Sequence, residues 1–374
     1  MNKRFLLVTE EWAGSGHKMA AVALEEALRE RQEVESVRIV GGLETASPVL
    51  RELSRFFYVN MLRYGQPVWQ RIYEQERVWG AALKRPVGWW LSGRLTEAIL
   101  NEEKPDVVIA THAYCLSALA EAKQRVRHPY HLVSIPTDYH VNRFWVHPQI
   151  DTYIVAHEQV AQRLTHVYGV EQSRIHGYGI PIRRAFSTNT GVDKGMGKEL
   201  LGLSPDVFTV LISGGEGGYG QMDLVVKQLT KSPLPLQIVV VTGTNQSLHN
   251  RLKDTFQRTS SAHRIEIRGY ERDMWKWLIA ADVYVTKPGG MSCAEALALR
   301  TPLIVYQPLP GQERHNTAFL LKHQAGIWAD TPEQIANFVE QLRESHNWQR
   351  MAASIEQIRR PQSTQEAVEY LLRL

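Results

Sequence analysis

The segment 286–290, Thr-Lys-Pro-Gly-Gly, limits most strongly what this chain can fold into. The apolar run 282–285 leads into it and predicts a strand, and residues 293–300 predict the helix that follows. Two glycines at the mouth of a helix leave backbone N–H groups open, and the helix end adds about half a positive charge. This combination suits a phosphate, with Glu295 one turn further in and placed for sugar hydroxyls. The alternative is a tight strand–helix turn without a ligand.

A second unit of the same kind stands near the N-terminus. Residues 5–9 predict a buried strand, Gly14-Ser15-Gly16 forms the loop, and residues 18–31 predict a helix. Strand, tight turn and helix in that order indicate a parallel α/β sheet. His17 falls in the first helical turn, where the helix end disfavours the imidazolium, so we expect a neutral ring that can accept a proton. The alternative is a histidine that only caps or packs.

The chain of 374 residues exceeds what one hydrophobic core usually serves, so two domains are expected. Residues 177–183 form a linker, after which the pattern restarts with a strand at 207–212 and a glycine-rich loop at 213–220. We place the domains at 1–180 and 181–355. Ligands of such sheets bind where the strands end, and Asp138 follows the strand 131–135. Glycine loops on two such domains predict a cleft between them.

Composition excludes several classes of protein. The net charge is only +4, and the two cysteines, Cys115 and Cys293, make a disulfide framework unlikely and fit a reducing compartment. No Cys/His spacing resembles a zinc site, so no metal is expected. The apolar run at 5–8 is too short for a signal peptide, and no run approaches the ~20 residues of a membrane span. A cytoplasmic location is therefore expected.

The region 51–94 stands apart because bulky aromatic residues alternate there with basic ones. It holds nine aromatic residues and eight basic residues against three acidic ones. Such a mixture suits a helical surface lying on anionic lipid headgroups. It could also stack on single-stranded nucleic acid, which we consider the weakest of the readings, or form an ordinary helix pair packed on the sheet.

The chemistry of the motifs favours a nucleotide diphosphate with an attached sugar. Neither glycine loop matches the Gly-x-x-x-x-Gly-Lys-Ser/Thr pattern of phosphoryl transfer, and neither gives the full dinucleotide fingerprint, so NAD binding is only weakly supported. Sugar transfer requires a base for the acceptor hydroxyl and stabilisation of the departing diphosphate. His17 could supply the first, and the amides around Gly289 and Gly290 the second.

These motifs together resemble those of bacterial diacylglycerol glucosyltransferases and plant monogalactosyldiacylglycerol synthases, relatives of the N-acetylglucosaminyltransferase of peptidoglycan synthesis. The matching segments span nearly the whole chain in the right order, and they are 14–17, 136–139, 144–147, 179–182, 286–290 with Glu295, and 308–313 with Asn316. The resemblance implies the α/β GT-B architecture: two Rossmann-like domains that face a central cleft, with the C-terminal helix, residues 356–374, returning to the N-terminal domain.

The resemblance also implies roles for individual residues. His17 is the favoured base, and Asp138 is either the alternative base or an orienting group. The implied donor residues are Glu295 for the ribose, Gly289 and Gly290 for the pyrophosphate, Tyr270 and Glu271 for the uracil, Gln312 and Glu313 for the sugar, and also Gly16, Gly215 and Met291. The implied acceptor and membrane residues are Trp69, Trp79, Trp89, Trp90, Arg85 and His112.

The sequence thus predicts an inverting glycosyltransferase that moves a hexose from UDP-glucose or UDP-galactose to a hydroxyl of a lipid-like acceptor such as diacylglycerol. It would act on the inner face of the cell membrane with no metal, cofactor or nucleic acid. The alternatives are a soluble secondary-metabolite acceptor, a UDP-sugar epimerase and a nucleotide-sugar sensor. Two segments depart from the resemblance: 113–116, and the loop carrying Glu216, whose charge near phosphates is unfavourable unless it points away.

Overall fold

The computed structural model describes residues 2–10, 15–49, 51–54, 56, 91–256 and 262–374. The chain divides into two compact units. Unit 1 comprises Met1–Arg184, Pro310–Gln312 and Gln362–Leu374, and unit 2 comprises Ala185–Leu309 and Glu313–Pro361. The aromatic and basic region was predicted to contact the membrane, and its residues Trp69, Trp79, Trp89, Trp90 and Arg85 lie outside the described residues.

Unit 1 contains a parallel sheet of six strands in the order β2-β1-β3-β4-β5-β6. The strands are β1 (Lys3–Thr9), β2 (Val34–Gly41), β3 (Val107–Ala110), β4 (His131–Ser134), β5 (Thr152–Ile154) and β6 (Ile175–His176). The whole of β3 is buried and apolar, as expected for a parallel strand covered on both faces. In the β1–β3 pair, Val8 lies beside Ala110, so the loops that follow these two strands leave the same edge.

The helices of unit 1 begin with α1 (Ser15–Arg29), which starts three residues before the predicted position and therefore includes Gly16 and His17 in its first turn. Next come α2 (Gly42–Ala46), a π-helical turn at Thr96–Leu100, a short turn at Asn101–Glu103, α3 (Ala113–Ala122) and α4 (Glu158–Tyr168). Single 3₁₀ turns occupy Arg143–Trp145 and Gln172–Arg174. Gly169 ends α4 with φ +70°, the left-handed cap expected from the sequence.

Unit 2 repeats the architecture with a parallel sheet in the order β12-β11-β10-β7-β8-β9. Its strands are β7 (Phe208–Ser213), β8 (Leu236–Val241), β9 (Arg264–Arg268), β10 (Val283–Thr286), β11 (Leu303–Tyr306) and β12 (Gly326–Ala329). Its helices are α5 (Arg184–Thr188), α6 (Lys194–Leu200), α7 (Met222–Leu229), α8 (Gln246–Phe256), α9 (Met274–Ala280), α10 (Gly290–Ala298), α11 (Gln312–Lys322), α12 (Pro332–Arg343) and α13 (Ser345–Ile358).

The helix after the Thr-Lys-Pro-Gly-Gly segment begins earlier than predicted. We expected it from residue 293, but α10 begins at Gly290, with Gly289 extended at the N-cap (φ −63°, ψ 139°). Glycine has a low helix propensity, which is why the sequence suggested a later start. Glu295 still lies in the second turn.

The last helix, α14 (Ser363–Arg373), belongs to unit 1. The hydroxyl of Ser363 donates to the carbonyl of Ile180 at 2.8 Å, and that of Thr364 to the carbonyl of Ile182 at 2.6 Å. Its buried residues join the core formed by β1, β3 and α1, namely Ala367, Val368 and Leu371. The return of the C-terminal helix to the first unit was expected from the family resemblance.

Each sheet reverses its strand order once. In unit 1 the reversal lies between β1 and β3, since β2 lies on one side of β1 and β3 on the other. In unit 2 it lies between β7 and β10. Open parallel sheets bind ligands outside the carboxyl ends of their strands at such a reversal. The two positions therefore define one candidate site in each unit.

Candidate functional site

The site in unit 1 gathers residues from the ends of three adjacent strands. His17 lies in the first turn of α1, which follows β1. Thr111 and His112 follow β3, and Thr137 and Asp138 follow β4. The half-buried imidazole of His17 contacts both neighbouring segments: its Nδ1 lies 3.0 Å from the carbonyl oxygen of Thr111 and 2.7 Å from the hydroxyl oxygen of Thr137.

These contacts assign the tautomer of His17. A carbonyl oxygen can only accept a hydrogen bond, so Nδ1 carries the hydrogen and donates it to Thr111. The lone pair of the neutral ring is then on Nε2. Burial lowers the pKa of His17 to about 4, and the bond to Thr111 offsets only part of this effect. The ring is therefore neutral at pH 7 and has one basic nitrogen, Nε2.

His112 lies against His17, with ring centroids 4.5 Å apart and an interplanar angle of 89°. Its Nδ1 accepts the backbone N–H of Tyr114 at 3.2 Å and so caps α3, while the Tyr114 ring stacks on it at 5.5 Å. Burial, and then the proximity of His17, hold the pKa of His112 well below its usual range. His112 was predicted as an acceptor residue, and the structure places it beside the predicted base.

Sequence reasoning missed two residues of this region. Thr137 was passed over in favour of Asp138, although its hydroxyl touches His17. Glu10, directly after β1, is only 1% exposed, and its Oε1 accepts the backbone N–H of Leu43 at 2.6 Å and the thiol of Cys115 at 3.1 Å. Burial and this carboxylate together raise the pKa of Cys115. The only sequence signal for Glu10 was its position at a strand end.

The site in unit 2 is built around the N-terminus of α10. The N–H of Cys293 makes the first hydrogen bond of the helical series and donates to the carbonyl of the N-cap residue Gly289 at 2.9 Å. The preceding amides therefore lie in the first turn, where helices bind anions. Met291 is buried and Glu295 half-buried on this helix. Gly290 begins this turn, whereas the N–H of Gly289 donates to the carbonyl of Lys287 at 2.9 Å. The role of the two glycines in binding pyrophosphate stays a prediction.

Lys287 brings a positive charge to the same place. Its Nζ lies 2.6 Å from Oε1 of Glu313, and Oε2 of Glu313 accepts the backbone N–H of Leu309 at 2.8 Å. A Cβ built on Gly215 would lie 3.8 Å from this ammonium, and one built on Gly289 would lie 3.9 Å from it. The ammonium therefore lies between the loop after β7 and the N-terminus of α10. Glu313, predicted to contact the donor sugar, also holds Lys287.

The glycine-rich loop after β7 requires its glycines at specific points. Gly218 has φ +59°, and a Cβ there would lie 2.3 Å from the carbonyl oxygen of Thr242. The backbone carbonyl of Glu216 accepts the N–H of Thr244 at 2.7 Å, which fastens the loop to the end of β8. The side chain of Glu216 is exposed.

Three further residues were predicted to bind the donor. Tyr270, after β9, is 59% exposed. Glu271 accepts a hydrogen bond from Arg268 Nε at 2.7 Å. Gln312 begins α11, where Asn316 donates to the carbonyl of Pro288 at 2.9 Å and ties this helix to the donor segment. Their roles in binding uracil and sugar stay predictions.

Among the residues that the structure describes, no group of three or more His, Cys, Asp and Glu side chains is arranged to hold a metal ion. The metal independence of the reaction stays a prediction. The same residues contain no helix that is both long and apolar enough to cross a bilayer.

Two protein families match successive parts of the chain. Residues 17–182 match the monogalactosyldiacylglycerol (MGDG) synthase family, and residues 209–366 match the glycosyltransferase family 28 C-terminal domain. Curated relatives include the processive diacylglycerol beta-glucosyltransferases of Bacillus mycoides and Bacillus cytotoxicus. Each is 27% identical over 375 aligned residues, which cover 99% of this chain and 94% of the relative.

Solved structures share the fold over the full length. MurG of Acinetobacter baumannii superposes with a TM-score of 0.65 at 14% identity, and 100% of both chains are covered. MnaA of S. aureus in complex with UDP gives 0.63 at 14% identity, with 99% of this chain and 96% of that one covered. The predicted GT-B fold class and the family resemblance are confirmed. The chain therefore has the GT-B fold, and it is similar to the MGDG synthase family over residues 17–182 and to the family 28 C-terminal domain over residues 209–366.

Proposed function

We propose that this glycosyltransferase moves a hexose from UDP-glucose or UDP-galactose to the hydroxyl of diacylglycerol, with inversion and without a metal. The names of the curated relatives, which the chain matches over nearly its whole length, support diacylglycerol as the acceptor. The fold neighbour bound to UDP supports a uridine nucleotide as the donor carrier. A lipid acceptor in turn supports a peripheral location on the inner face of the cell membrane.

Unit 2 would bind the donor. The open amides of α10 and the ammonium of Lys287 would take the diphosphate, which a metal ion would otherwise neutralise. Glu295 would bind the ribose, Tyr270 and Glu271 the uracil, and Gln312 and Glu313 the sugar. Each oxygen of Glu313 accepts one hydrogen bond and has the lone pairs to accept a second, so we expect this carboxylate to hold Lys287 and a sugar hydroxyl together.

Unit 1 would supply the base. Nε2 of His17 takes the proton from the acceptor hydroxyl, the oxygen bonds to the anomeric carbon, and the bond to UDP breaks on the opposite face. The proton stays on the imidazole until the product leaves. A base with a pKa of about 4 accepts little proton from a free alcohol, so we expect the transfer to occur late, when the bonding oxygen has become acidic.

The observation that carries this proposal is the neutral His17, with its tautomer fixed by Thr111, in the half of the chain that matches the MGDG synthase family. A strand-order reversal is where such sheets bind ligands, and activation of an acceptor hydroxyl needs a basic nitrogen there.

The test is product analysis with the purified full chain. Anionic vesicles containing diacylglycerol are incubated with UDP-glucose or UDP-galactose in EDTA, and lipids and nucleotides are followed by mass spectrometry. We expect a glycosylated diacylglycerol and one UDP per sugar transferred. His17→Ala should lower the rate by roughly 100-fold or more, whereas the matched His166→Ala, at an exposed position on α4, should leave it unchanged.

The other outcomes identify the alternatives. Release of a free epimer without an acceptor would indicate an epimerase. Transfer to soluble aromatic alcohols but not to diacylglycerol would move the enzyme to a soluble-acceptor class. Binding of UDP-sugar with no turnover of any substrate would indicate a sensor. Each of these results would overturn the proposed lipid acceptor.

A further inference from the structure

The contact between His17 and Thr137 supports an inference that goes beyond the proposed reaction, although the inference rests on that reaction. Bases of this kind are commonly oriented by a carboxylate, and Asp138 was our candidate for that role. The structure places the preceding residue, Thr137, against the ring: its hydroxyl oxygen lies 2.7 Å from His17 Nδ1, and Thr137 is only 4% exposed. The orienting role of Asp138 stays a prediction.

The contact between His17 Nδ1 and the Thr111 carbonyl determines the direction of the hydrogen bond between His17 and Thr137. If the Thr137 hydroxyl donated to Nδ1, this nitrogen would carry no hydrogen, and its lone pair would face the lone pairs of the Thr111 carbonyl at 3.0 Å. That arrangement is repulsive in a buried site. With the hydrogen on Nδ1, both oxygens accept it, and the contacts are favourable.

We propose that Thr137 is a positioning residue: its hydroxyl oxygen and the Thr111 carbonyl jointly accept the Nδ1 hydrogen of His17 and aim Nε2 at the acceptor hydroxyl. Both of these acceptors are neutral oxygens. As Nε2 accepts the proton, positive charge spreads to Nδ1–H, and hydrogen bonds from a charged donor are stronger than neutral ones. The Thr137 oxygen therefore stabilises the imidazolium that forms during transfer.

The neighbourhood offers a matched control. Thr9, at the end of β1, is 1% exposed, and within the part of the chain that the structure describes its hydroxyl has no hydrogen-bond partner. Thr9→Val and Thr137→Val make the same change at the same edge of the same sheet. Only the second removes a contact to His17.

The kinetic test compares Thr137→Val, Thr137→Ser and Thr9→Val in the vesicle assay. We expect Thr137→Val to lower kcat by roughly three- to tenfold, the value of about one hydrogen bond, with little change in KM for either substrate. Thr137→Ser, which keeps the oxygen, should stay within about twofold of wild type, as should Thr9→Val. Equal kcat for Thr137→Val and wild type, or equal losses for the Val and Ser variants, would overturn the proposal.

A pH profile separates positioning from packing. Loss of a hydrogen-bond acceptor disfavours the imidazolium and so lowers the pKa of His17. The acid limb of the pH profile of kcat should therefore move to lower pH in Thr137→Val. The titratable groups on the elements around His17 include Lys18 on α1, Glu10 after β1, His112 before α3, Tyr114 and Cys115 on α3, and Asp138 after β4. All are retained in the variants. An unmoved limb accompanying a lower kcat would show that Thr137 only packs.

A spectroscopic readout is independent of turnover. In the full chain labelled with ¹⁵N-histidine, the resonances absent from His17→Asn belong to His17. At pH 7 we expect a protonated Nδ1 and an unprotonated Nε2. Hydrogen on Nε2 would overturn the assignment even in an active enzyme. Conversely, a wild type that glycosylates no acceptor but shows the expected tautomer would reject the proposed function and leave the hydrogen-bond assignment standing.

Discussion

At the scale of single residues, burial rather than charge sets the chemistry of the candidate base. The helix N-terminus alone predicted a neutral His17. In the structure the largest effect on its pKa is loss of solvent, and His112 adds a second buried ring. Both sites also depend on carboxylates that have lost most of their contact with water, Glu10 in unit 1 and Glu313 in unit 2. Polar groups held in this way contribute to stability as well as to activity.

The pKa of His17 predicts how stability depends on pH. Its folded-state pKa of about 4 lies below the ordinary value of 6.5, so between these values the unfolded chain binds more protons and the folded state loses stability as pH falls. The full effect is up to about 3 kcal/mol. Urea unfolding measures the free energy of unfolding at pH 7.5 and at pH 5. Between these two pH values, His17→Gln should lose less of it than wild type. An equal loss in both proteins would contradict the burial argument.

The Lys287–Glu313 pair predicts unequal effects of its two single substitutions. The Glu313 side chain is 5% exposed and that of Lys287 22%, so removal of the ammonium leaves the more deeply buried charge without its ionic partner. We expect Lys287→Met to cost about 1–3 kcal/mol of unfolding free energy and Glu313→Gln less. Chemical denaturation of both variants and of the double variant measures the coupling. Additive losses would mean that the pair is not coupled.

At the scale of elements, strand ends and helix starts assemble both sites. Each predicted glycine loop does follow a strand and lead into a helix. The helices begin earlier than their apolar patterns indicated, because glycine and polar residues occupy the first turns of α1 and α10. The glycines of the loop after β7 allow its backbone to approach the backbone that follows β8. This approach depends on the pairing of the two strands.

Substitutions of glycine test the loop after β7. In Gly218→Ala the new Cβ would lie 2.3 Å from the Thr242 carbonyl oxygen at a φ of +59°, so the backbone must move. We expect this variant to lose more than about 2 kcal/mol of unfolding free energy and to bind UDP more weakly. Gly202→Ala, with φ +67° and open space, should cost only about 1 kcal/mol, and Gly191→Ala almost nothing. Calorimetric unfolding and UDP titration of the three variants give the ranking, and equal values would refute it.

At the scale of the whole molecule, unit 1 is completed by residues from both ends of the chain. Its core contains Leu24 and Leu28 from α1, and Val368 and Leu371 from α14. The first unit therefore cannot bury its full apolar surface until the last helix has been synthesised. Contacts so distant in sequence carry a high entropic cost of loop closure.

Truncation of one leucine side chain tests this dependence. Leu371 is 0% exposed, whereas Leu374, three residues on, is 36% exposed. We expect Leu371→Ala to lower the free energy of unfolding by about 2–5 kcal/mol and Leu374→Ala by less than about 1 kcal/mol. Thermal unfolding followed by circular dichroism measures both. Similar losses would show that α14 adds little to the core of unit 1.

The sequence alone determined the parallel α/β class, the two glycine loops and the place of His17 in a first helical turn, because these features depend on local periodicity and on backbone propensities of neighbouring residues. Only the tertiary structure decided which groups touch that histidine. Thr111 and Thr137 are 94 and 120 residues away from it in the chain, and Glu313 is 26 residues from Lys287. Such pairs are set by strand order and register. Thr137 contacts His17 because of the direction that its side chain takes after β4, which local sequence does not reveal.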